Sequence, residues 1–289
     1  MSHAPDARAV VVTGGSSGIG RASVSRLVQE GVHVFATGLT VAESESLAAE
    51  FGDRITPLVV DVTDESSVLA AAQRVDTWLA GRTLFGLVNN AGMAIGGPLA
   101  HLETKELRLQ METNYLGVHT VTRAFLGMLG VDRARTGEPG RLVMMSSTSG
   151  RDAAPFMGPY VASKHALEGY SQSLRRELML HGIKVIVIAP GLIATPIWDK
   201  AEDEGHDRFA DTPYAAADKA MSMYLVAHGR RGLPPSAVAS AVWTALSAPN
   251  PRQRVTVMRR KFMEYTLPRL FPDAVMDGLI AKMFGLIRK

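Results

Sequence analysis

The sequence predicts an α/β fold, a doubly wound parallel sheet with helices on both faces, and two observations carry that expectation. Short apolar runs alternate with segments of helical period from Ala9 onward. A glycine-rich turn, Gly14-Gly15-Ser16-Ser17-Gly18-Ile19-Gly20, joins the first run to the first helical segment, as a strand-turn-helix unit that approaches a pyrophosphate requires. The 289 residues allow one or two domains by length alone. The features of one nucleotide-binding fold spread over two thirds of the chain, so a single Rossmann-type domain is expected. With 46% hydrophobic and 20% charged residues the chain can bury a large core. A formal charge of +3 without a long basic run gives no ground for a nucleic-acid partner. The absence of cysteine excludes disulfides, thiolate metal sites and a cysteine nucleophile. The N-terminus lacks the basic and apolar regions of a signal peptide, and the uncharged stretch from Val185 to Trp198 is broken by Pro190-Gly191. No transmembrane segment is expected, and a cytoplasmic location is the default.

In chain order, Ala9 to Thr13 reads as a buried strand and Ile19 to Glu30 as the helix after the glycine turn. A strand over 32–37 ends at Gly38 and Leu39, a helix spans 41–51, and a strand over 55–60 leads to Asp61 and Val62. Asp61 has the chemistry of a turn cap. A helix over 65–79 precedes the strand 85–88, which delivers Asn89-Asn90-Ala91-Gly92, small residues suited to close passage under a ligand. The segment 104–128 has helical period but contains Asn114, whose amide competes for backbone hydrogen bonds and predicts a kink. The strand 141–145 ends at Ser146-Ser147, and the helix bearing Tyr160 follows. The strand 184–189 runs into Pro190-Gly191-Leu192-Ile193-Ala194-Thr195-Pro196. Residues 198–235 form an insertion, first acidic and then helical, read as a lid or substrate wall. A helix over 236–246 and a strand over 254–258 complete the core.

The extension 259–289 ends in a helix that places Val275, Met276, Leu279, Ile280, Met283, Phe284 and Ile287 on one stripe. Core packing or a cover over the substrate pocket is the first reading of that stripe, and a subunit interface the second. Peripheral docking on a membrane, suggested by Arg259, Arg260, Lys261, Lys282, Arg288 and Lys289, is the last.

The chemistry concentrates between Ser147 and Lys164. Tyr160 and Lys164 are four residues apart on a helix and leave one face of it, so an ammonium stands beside a phenol. A nearby positive charge favours phenolate, which predicts a lowered Tyr160 pKa and general acid/base work. Ser147, at a strand's C-terminal end, sits at the edge where open α/β sheets bind ligands, and its hydroxyl can polarise a carbonyl oxygen.

Ser147 with Tyr160-x-x-x-Lys164, the TGxxxGxG spacing of Thr13 to Gly20, Asn89-Asn90-Ala91-Gly92, and Pro190-Gly191 with Thr195-Pro196 occur in order. By these motifs the chain resembles the short-chain dehydrogenase/reductase superfamily in its classical form. The phrase VFATGLTVAES looks similar to its retinol, hydroxysteroid and hydroxybutyrate dehydrogenase branches. The resemblance implies an oxidoreductase that transfers hydride between NAD or NADP and a hydroxyl or carbonyl group. It implies catalytic roles for Asn114, Ser147, Tyr160 and Lys164, with Asn114 distorting its helix and holding a water that links Lys164 to solvent. Lys164 would also bond the nicotinamide ribose. The implied cofactor contacts are Gly14, Ser16, Ser17, Gly18, Ile19 and Gly20 at the pyrophosphate, Gly38 and Leu39 at the adenosine ribose, and Asp61 and Val62 at the adenine. Asn90, Ala91 and Gly92 would lie under the cofactor, with Tyr160, Lys164, Pro190, Gly191, Ile193 and Thr195 at the nicotinamide end.

Neither an acid nor a base stands at Gly38-Leu39 to select the cofactor, and Ser17 lies where NADP-preferring relatives place a base. That favours NAD. The expected pocket lining, Ile95, Phe156, Met157, Ile193, Trp198, Met221 and Tyr224, is mainly apolar and suits a lipophilic, steroid-, retinoid- or lipid-like substrate. Scattered histidines at no ligand spacing predict no catalytic metal. The resemblance also implies a homodimer or homotetramer paired through the helices of Asn114 and Tyr160. The rival reading, a nucleotide-binding regulatory protein without catalysis, would lack Tyr160 or Lys164, and both are present.

Overall fold

The computed structural model describes residues 8–199 and 207–287. Seven strands, β1 (Ala9–Val12), β2 (His33–Gly38), β3 (Ile55–Val59), β4 (Gly86–Asn89), β5 (Arg141–Met145), β6 (Lys184–Pro190) and β7 (Arg254–Val257), form one sheet in the order β3-β2-β1-β4-β5-β6-β7. Every pairing is parallel. The order reverses between β1 and β4, and that switch point opens the crevice at their C-terminal ends.

Alternation along the strands divides the core in two. Val10 and Val12 of β1, Val143 of β5 and Ile186 of β6 face one side, where they meet α1 (Gly18–Gln29) through Val24 and Leu27 and α8 (Pro235–Ser247) through Val238 and Val242. Val11, Leu142 and Val185 face the other, against α3 (Glu65–Leu79), α5 (Gly117–Phe125) and α6 (Gly158–Glu177), through Val68, Val121 and Leu167. Both faces are covered, which is why the central strands are apolar without interruption. The second strand is followed by α2 (Val41–Phe51), whose Thr40 cap accepts from the Glu43 N–H.

The segment expected as one helix over 104–128 is divided. It comprises α4 (Thr104–Met111), a π-helical turn over Glu112–Leu116, and α5, followed by a second π-helical turn over Gly127–Val131 in which Gly130 has φ +118°. The wide turn centres on Asn114, whose fully buried amide bonds a neighbouring loop.

The insertion continues after residues outside the description, 200–206, as α7 (Ala215–Arg230). Half of the acidic stretch read from sequence lies in that undescribed part. The described part is pinned to the core by Arg208, which forks onto both carboxylate oxygens of Glu106 at 2.6 Å, and by Phe209 against Gly97. The C-terminal helix is α9 (Asp273–Phe284). Its stripe does not act as one face. Phe284 is buried and Ile280 packs beside it against α7, whereas Val275, Leu279, Met283 and Ile287 are exposed, because the stripe is wider than the surface α7 offers.

Candidate active site

The predicted motifs converge on the C-terminal edge of β1, β4, β5 and β6. Gly14 turns the chain with φ +63°, its N–H donating to Thr37 Oγ1 at 3.0 Å, and a Cβ there would lie 2.9 Å from Ala91 Cα. A Cβ on Gly20 would fall 1.9 Å from the Gly14 carbonyl, so only glycine lets α1 start this close to the turn. Asn90 Nδ2 donates to the Thr13 and Gly14 carbonyls at 2.9 and 3.1 Å, while Thr13 Oγ1 accepts from the Asn90 and Ala91 N–H groups at 2.9 and 3.0 Å. The amide of Asn90 therefore fastens the two loops together. Thr13 and Thr37 were absent from the sequence-derived site, although Thr13 opens the TGxxxGxG motif that pointed to it.

Ser16 accepts from Arg21 at its carbonyl, and Ser17 occupies the N-cap of α1 with its side chain making no capping bond. No acidic residue lies in that first turn, so the N-terminal N–H groups face the crevice without a competing carboxylate. Ile19 packs on the core beside them. Gly18 lies against Thr195, whose Cγ2 is 3.3 Å from where a glycine Cβ would be, which brings the first motif onto the last. Pro190 ends β6, and the Gly191 N–H donates to the Val257 carbonyl at 2.9 Å. Ile193 departs from its expected place in the pocket. Its side chain is buried in the core, and only its carbonyl, which accepts from Trp198 Nε1 at 2.6 Å, remains at the loop.

At the end of β2 the structure supplies a group that sequence reading missed. The Glu43 carboxylate folds back from α2 and accepts the Leu39 N–H at 2.6 Å, over a glycine, Gly38, whose Cβ would lie 2.8 Å from Glu43 Cβ. Leu39 itself is exposed. An acid is thus present at this strand end, brought from four residues on. Asp61 is exposed and caps the following turn, its Oδ1 accepting from Thr63 N and Oγ1 at 2.9 and 2.7 Å, and Val62 packs in the core.

Ser147 follows β5 and is nearly buried. Its Oγ accepts from the Ser149 N–H at 3.1 Å and hydrogen-bonds the Tyr160 phenol. Lys164 is buried one helical turn from Tyr160, with Nζ 5.7 Å from the Tyr160 ring centre and donating to the Met145 carbonyl at 2.9 Å. Burial pulls the ammonium down to about 8. Burial also raises the Tyr160 phenol above its ordinary value, with the Ser147 hydrogen bond opposing it. This corrects the expectation of a lowered Tyr160 pKa, because desolvation of the phenolate outweighs the Ser147 hydrogen bond.

Gly92 leaves the approach to this group open. A Cβ there would lie 3.1 Å from Asn114 Oδ1 and 3.8 Å from Lys164 Nζ. Asn114 Oδ1 accepts the Met93 N–H at 2.9 Å, and its Nδ2 donates to the Met93 carbonyl and to Ser163 Oγ at 2.9 and 3.1 Å. Both amide donors are occupied inside the protein, so the side chain works as a clamp between the 92–95 loop and α6 rather than as a free water-holder. Gln110, one turn earlier and equally buried, repeats the pattern on Ile95 and Met93. A pair of buried amides four residues apart on an apolar face was its signal.

Glu168, one turn beyond Lys164, is a second residue the sequence reading passed over. Its buried carboxylate accepts from Ser146 Oγ at 2.9 Å and from Arg254 Nε at 3.0 Å, and Arg151 lies 3.3 Å away. Gly150 permits this approach, since its Cβ would fall 2.9 Å from Glu168 Cγ. Of the expected pocket lining, Phe156 and Met221 meet in one apolar cluster with Ala217 and Phe284, flanked by Tyr224. Phe156 holds φ +62°, a conformation rare for a bulky residue, and its carbonyl accepts from Gly97 at 2.7 Å. Ile95 is fixed by Gln110, Met157 borders Gly96, and Trp198 packs on Gly229.

The family model for short chain dehydrogenases matches residues 8–205. The NADPH-dependent 3-dehydrocapnine reductase of Ornithobacterium rhinotracheale is 36% identical over 95% of this chain and 96% of its own. Retinol dehydrogenase 7 of Rattus norvegicus is 34% identical over 95% and 89%. Among solved structures, a short-chain dehydrogenase from Streptomyces avermitilis superposes with a TM-score of 0.77 at 28% identity over 96% of both chains. The actinorhodin polyketide ketoreductase with NADPH gives 0.74 at 28% identity over 90% and 98%. The chain belongs to the short-chain dehydrogenase/reductase family, on a branch that includes retinol dehydrogenases. It is an NAD(P)-dependent oxidoreductase acting on CH–OH and carbonyl groups.

Two measurements check this geometry. Replacing Glu168 by Gln leaves Arg254 buried without its counter-charge and should lower unfolding free energy by about 3 kcal/mol in chemical denaturation. The double variant Glu168→Met/Arg254→Met should recover most of that loss. For Lys164, folding lowers the pKa from 10.5 to about 8, so between those values the unfolded chain holds a proton the folded site has released. Stability therefore gains a contribution as pH rises through that window. Lys164→Met should be more stable than the parent at pH 7.5, by about 2 kcal/mol once the lost bond to Met145 is counted. That advantage should shrink toward pH 10 in paired urea melts.

Proposed function

We propose that the chain reduces the carbonyl group of a lipophilic small molecule, with Ser147, Tyr160 and Lys164 as the catalytic residues and Asn114 positioning them. The observation that carries this reading is the Ser147–Tyr160–Lys164 group at the sheet's C-terminal edge, with the serine and lysine buried and the tyrosine half-buried. Tyr160 lies four residues along the chain from Phe156 of the apolar cluster that also holds Met221 and Phe284. The residues present fit a dinucleotide. The glycine turn and the uncapped start of α1 suit a pyrophosphate, and Gly92 leaves room beside Lys164. Gly14, Ser16, Ser17, Gly18, Ile19 and Gly20 would hold the phosphates. Asn90, Ala91 and Gly92 would form the floor, and Pro190, Gly191 and Thr195 the nicotinamide end.

When bound there, a reduced nicotinamide would supply the hydride for the carbonyl carbon. Tyr160, held protonated by burial, donates its phenolic proton to the carbonyl oxygen, and the Ser147 hydroxyl hydrogen-bonds the same oxygen as charge develops. Lys164 uses one N–H on Met145 and keeps the others for the cofactor ribose and for returning a proton to Tyr160. Asn114 serves by clamping the 92–95 loop to α6. The segment 198–235 acts as the substrate lid and 259–289 as a C-terminal cover within one domain. Copies pair through α4, α5 and α6, where Leu109 and Leu116 are exposed, and a monomer in light scattering would contradict that pairing.

For the cofactor we infer a preference for NAD(H). The support is Glu43, whose carboxylate occupies the Leu39 N–H and sets negative charge where a 2′-phosphate would need a donor. An acid here accepts a ribose hydroxyl and repels a phosphate. The relative named NADPH-dependent is the reason to test this point directly.

Tyr160→Phe should retain NADH binding, followed by nucleotide fluorescence, and lose at least about 100-fold in turnover on a panel of lipophilic ketones and aldehydes. Unchanged turnover rejects the tyrosine's role, and turnover of small charged hydroxy acids alone rejects the lipophilic substrate. Separately, Glu43→Gln should tighten NADPH binding relative to NADH by about tenfold, the scale of one removed charge repulsion. Equal ratios in parent and variant would exclude Glu43 as the selector.

A further inference from the structure

Nine of the twenty exposed large apolar side chains among the described residues lie between 262 and 287, a concentration that scattered surface hydrophobics do not produce. They include Phe262 and Met263 at 63% and 59% exposure, Leu270 at 71%, and Leu279, Met283 and Ile287 at 58–59%. The segment is ordered around Tyr265, which is buried with Arg254 and Arg269 over its ring at 5.8 and 5.0 Å. With that ring turned inward, its neighbours Phe262 and Met263 remain outside.

On α9 two apolar rows run in parallel. Ile280 and Phe284 pack on α7, Phe284 edge-on to Tyr224 at 5.7 Å, while Val275, Leu279 and Met283, spaced by four, face out. At about 100° per residue, Lys282 flanks the outer row at about 60° from Leu279, whereas Asp273 and Asp277 share the row of the buried Phe284. These two acids thus point away from the outer apolar row, and the one other acid of the segment, the exposed Glu264, follows Met263. Immediately before Phe262 stand Arg259, Arg260 and Lys261, all exposed, and none is ion-paired among the described residues.

We propose that this C-terminal face docks peripherally on an anionic lipid bilayer, with the outer apolar row and Phe262-Met263 entering the interface and Arg259, Arg260, Lys261 and Lys282 meeting the headgroups. Apolar side chains edged by lysine and arginine match such a surface, where the cationic ends reach up to phosphate. A second copy fits less well, because an isologous contact brings the same patch from both copies together, cations included. No helix among the described residues is long and apolar enough to cross a membrane, so the contact is interfacial. Since α9 also closes the cluster of Phe156 and Met221, the docked face and the pocket share one helix, a link that rests on the lipophilic-substrate reading above.

The test is sedimentation of the full chain with vesicles of phosphatidylcholine alone or mixed with phosphatidylglycerol, at low and high salt and without substrate. Binding to the mixed vesicles, weakened by salt, is expected. Leu279→Asp/Met283→Asp and Arg259→Glu/Arg260→Glu should each weaken it by about tenfold or more, while NADH binding stays at the parent level and reports an intact fold. Absence of sedimentation with mixed vesicles overturns the proposal, as does equal binding by parent and variants. A fall in molar mass of Leu279→Asp/Met283→Asp by light scattering, without vesicle binding by the parent, assigns the face to contact between copies. None of these readouts involves turnover, so the docking surface and the proposed reaction stand or fall separately.

Discussion

The Glu168 carboxylate holds the catalytic edge in register. It lies on α6 one turn beyond Lys164, accepts from Ser146 beside Ser147, and is met by Arg254 from β7. One side chain therefore connects the strand that carries the serine, the helix that carries the tyrosine and lysine, and the last strand of the sheet. Arg254 in turn lies over Tyr265, from which the C-terminal segment departs. Removing water from a carboxylate and a guanidinium is costly. The cost is offset more fully for Glu168, which has Ser146, Arg254 and Arg151 as partners, than for Arg254, whose Nε and Nη1 are bonded while its buried Nη2 has no hydrogen-bond partner among the described residues. Such a connection is less a source of net stability than a way of fixing geometry, and the relative placement of Ser147 and Tyr160 is the geometry that needs fixing.

Close approach is the second constraint. The first turn, the loop after β4 and the loop after β6 belong to distant parts of the chain, yet they pass within van der Waals contact at Gly14, Gly18 and Gly20. The polar groups exposed by bringing bare backbone together must find partners, and Thr13, Thr37, Asn90, Gln110 and Asn114 provide them from side chains. This explains why small and amide residues gather at the crevice even where no ligand is touched. It also explains why Asn114 sits in a π-helical turn. A regular helix would aim the amide elsewhere, and the extra residue in the turn lets it reach both groups of the Met93 backbone.

What could be read from the sequence was what depends on period and on local spacing. The seven strands and most helices follow from alternation of apolar runs with helical stripes, and the helices over 41–51 and 65–79 have the expected ends, helped by the Thr40 and Asp64 caps. The separation of Tyr160 and Lys164 by one turn of helix follows in the same way. The Glu43 carboxylate was not legible, because only the fold-back over Gly38 puts it at the Leu39 N–H. Glu168 escaped for a similar reason. Its partners, Ser146 just past the end of β5 and Arg254 on β7, come from separate parts of the sheet, and a lone glutamate on a helix reads as solvated until the helix is placed. On α9 the apolar pattern was plain, but which part of a wide stripe meets the core is decided by α7, and no periodicity within α9 records that.

Burial at the catalytic group has two effects that act together. Desolvation lowers the Lys164 ammonium and raises the Tyr160 phenol, so both are driven toward their neutral forms. Burying a lysine without a carboxylate partner opposes folding near neutral pH, and Met145 offsets only part of that with its carbonyl. The same exclusion of water keeps a proton on Tyr160, where a carbonyl oxygen gaining charge would need it, and strengthens the hydrogen bond from Ser147 to that oxygen. For oxidation the phenol must first lose its proton, against the desolvation that holds it. For reduction it begins with its proton in place, and the same relay run backwards serves oxidation, so the direction follows from which forms of cofactor and substrate are bound.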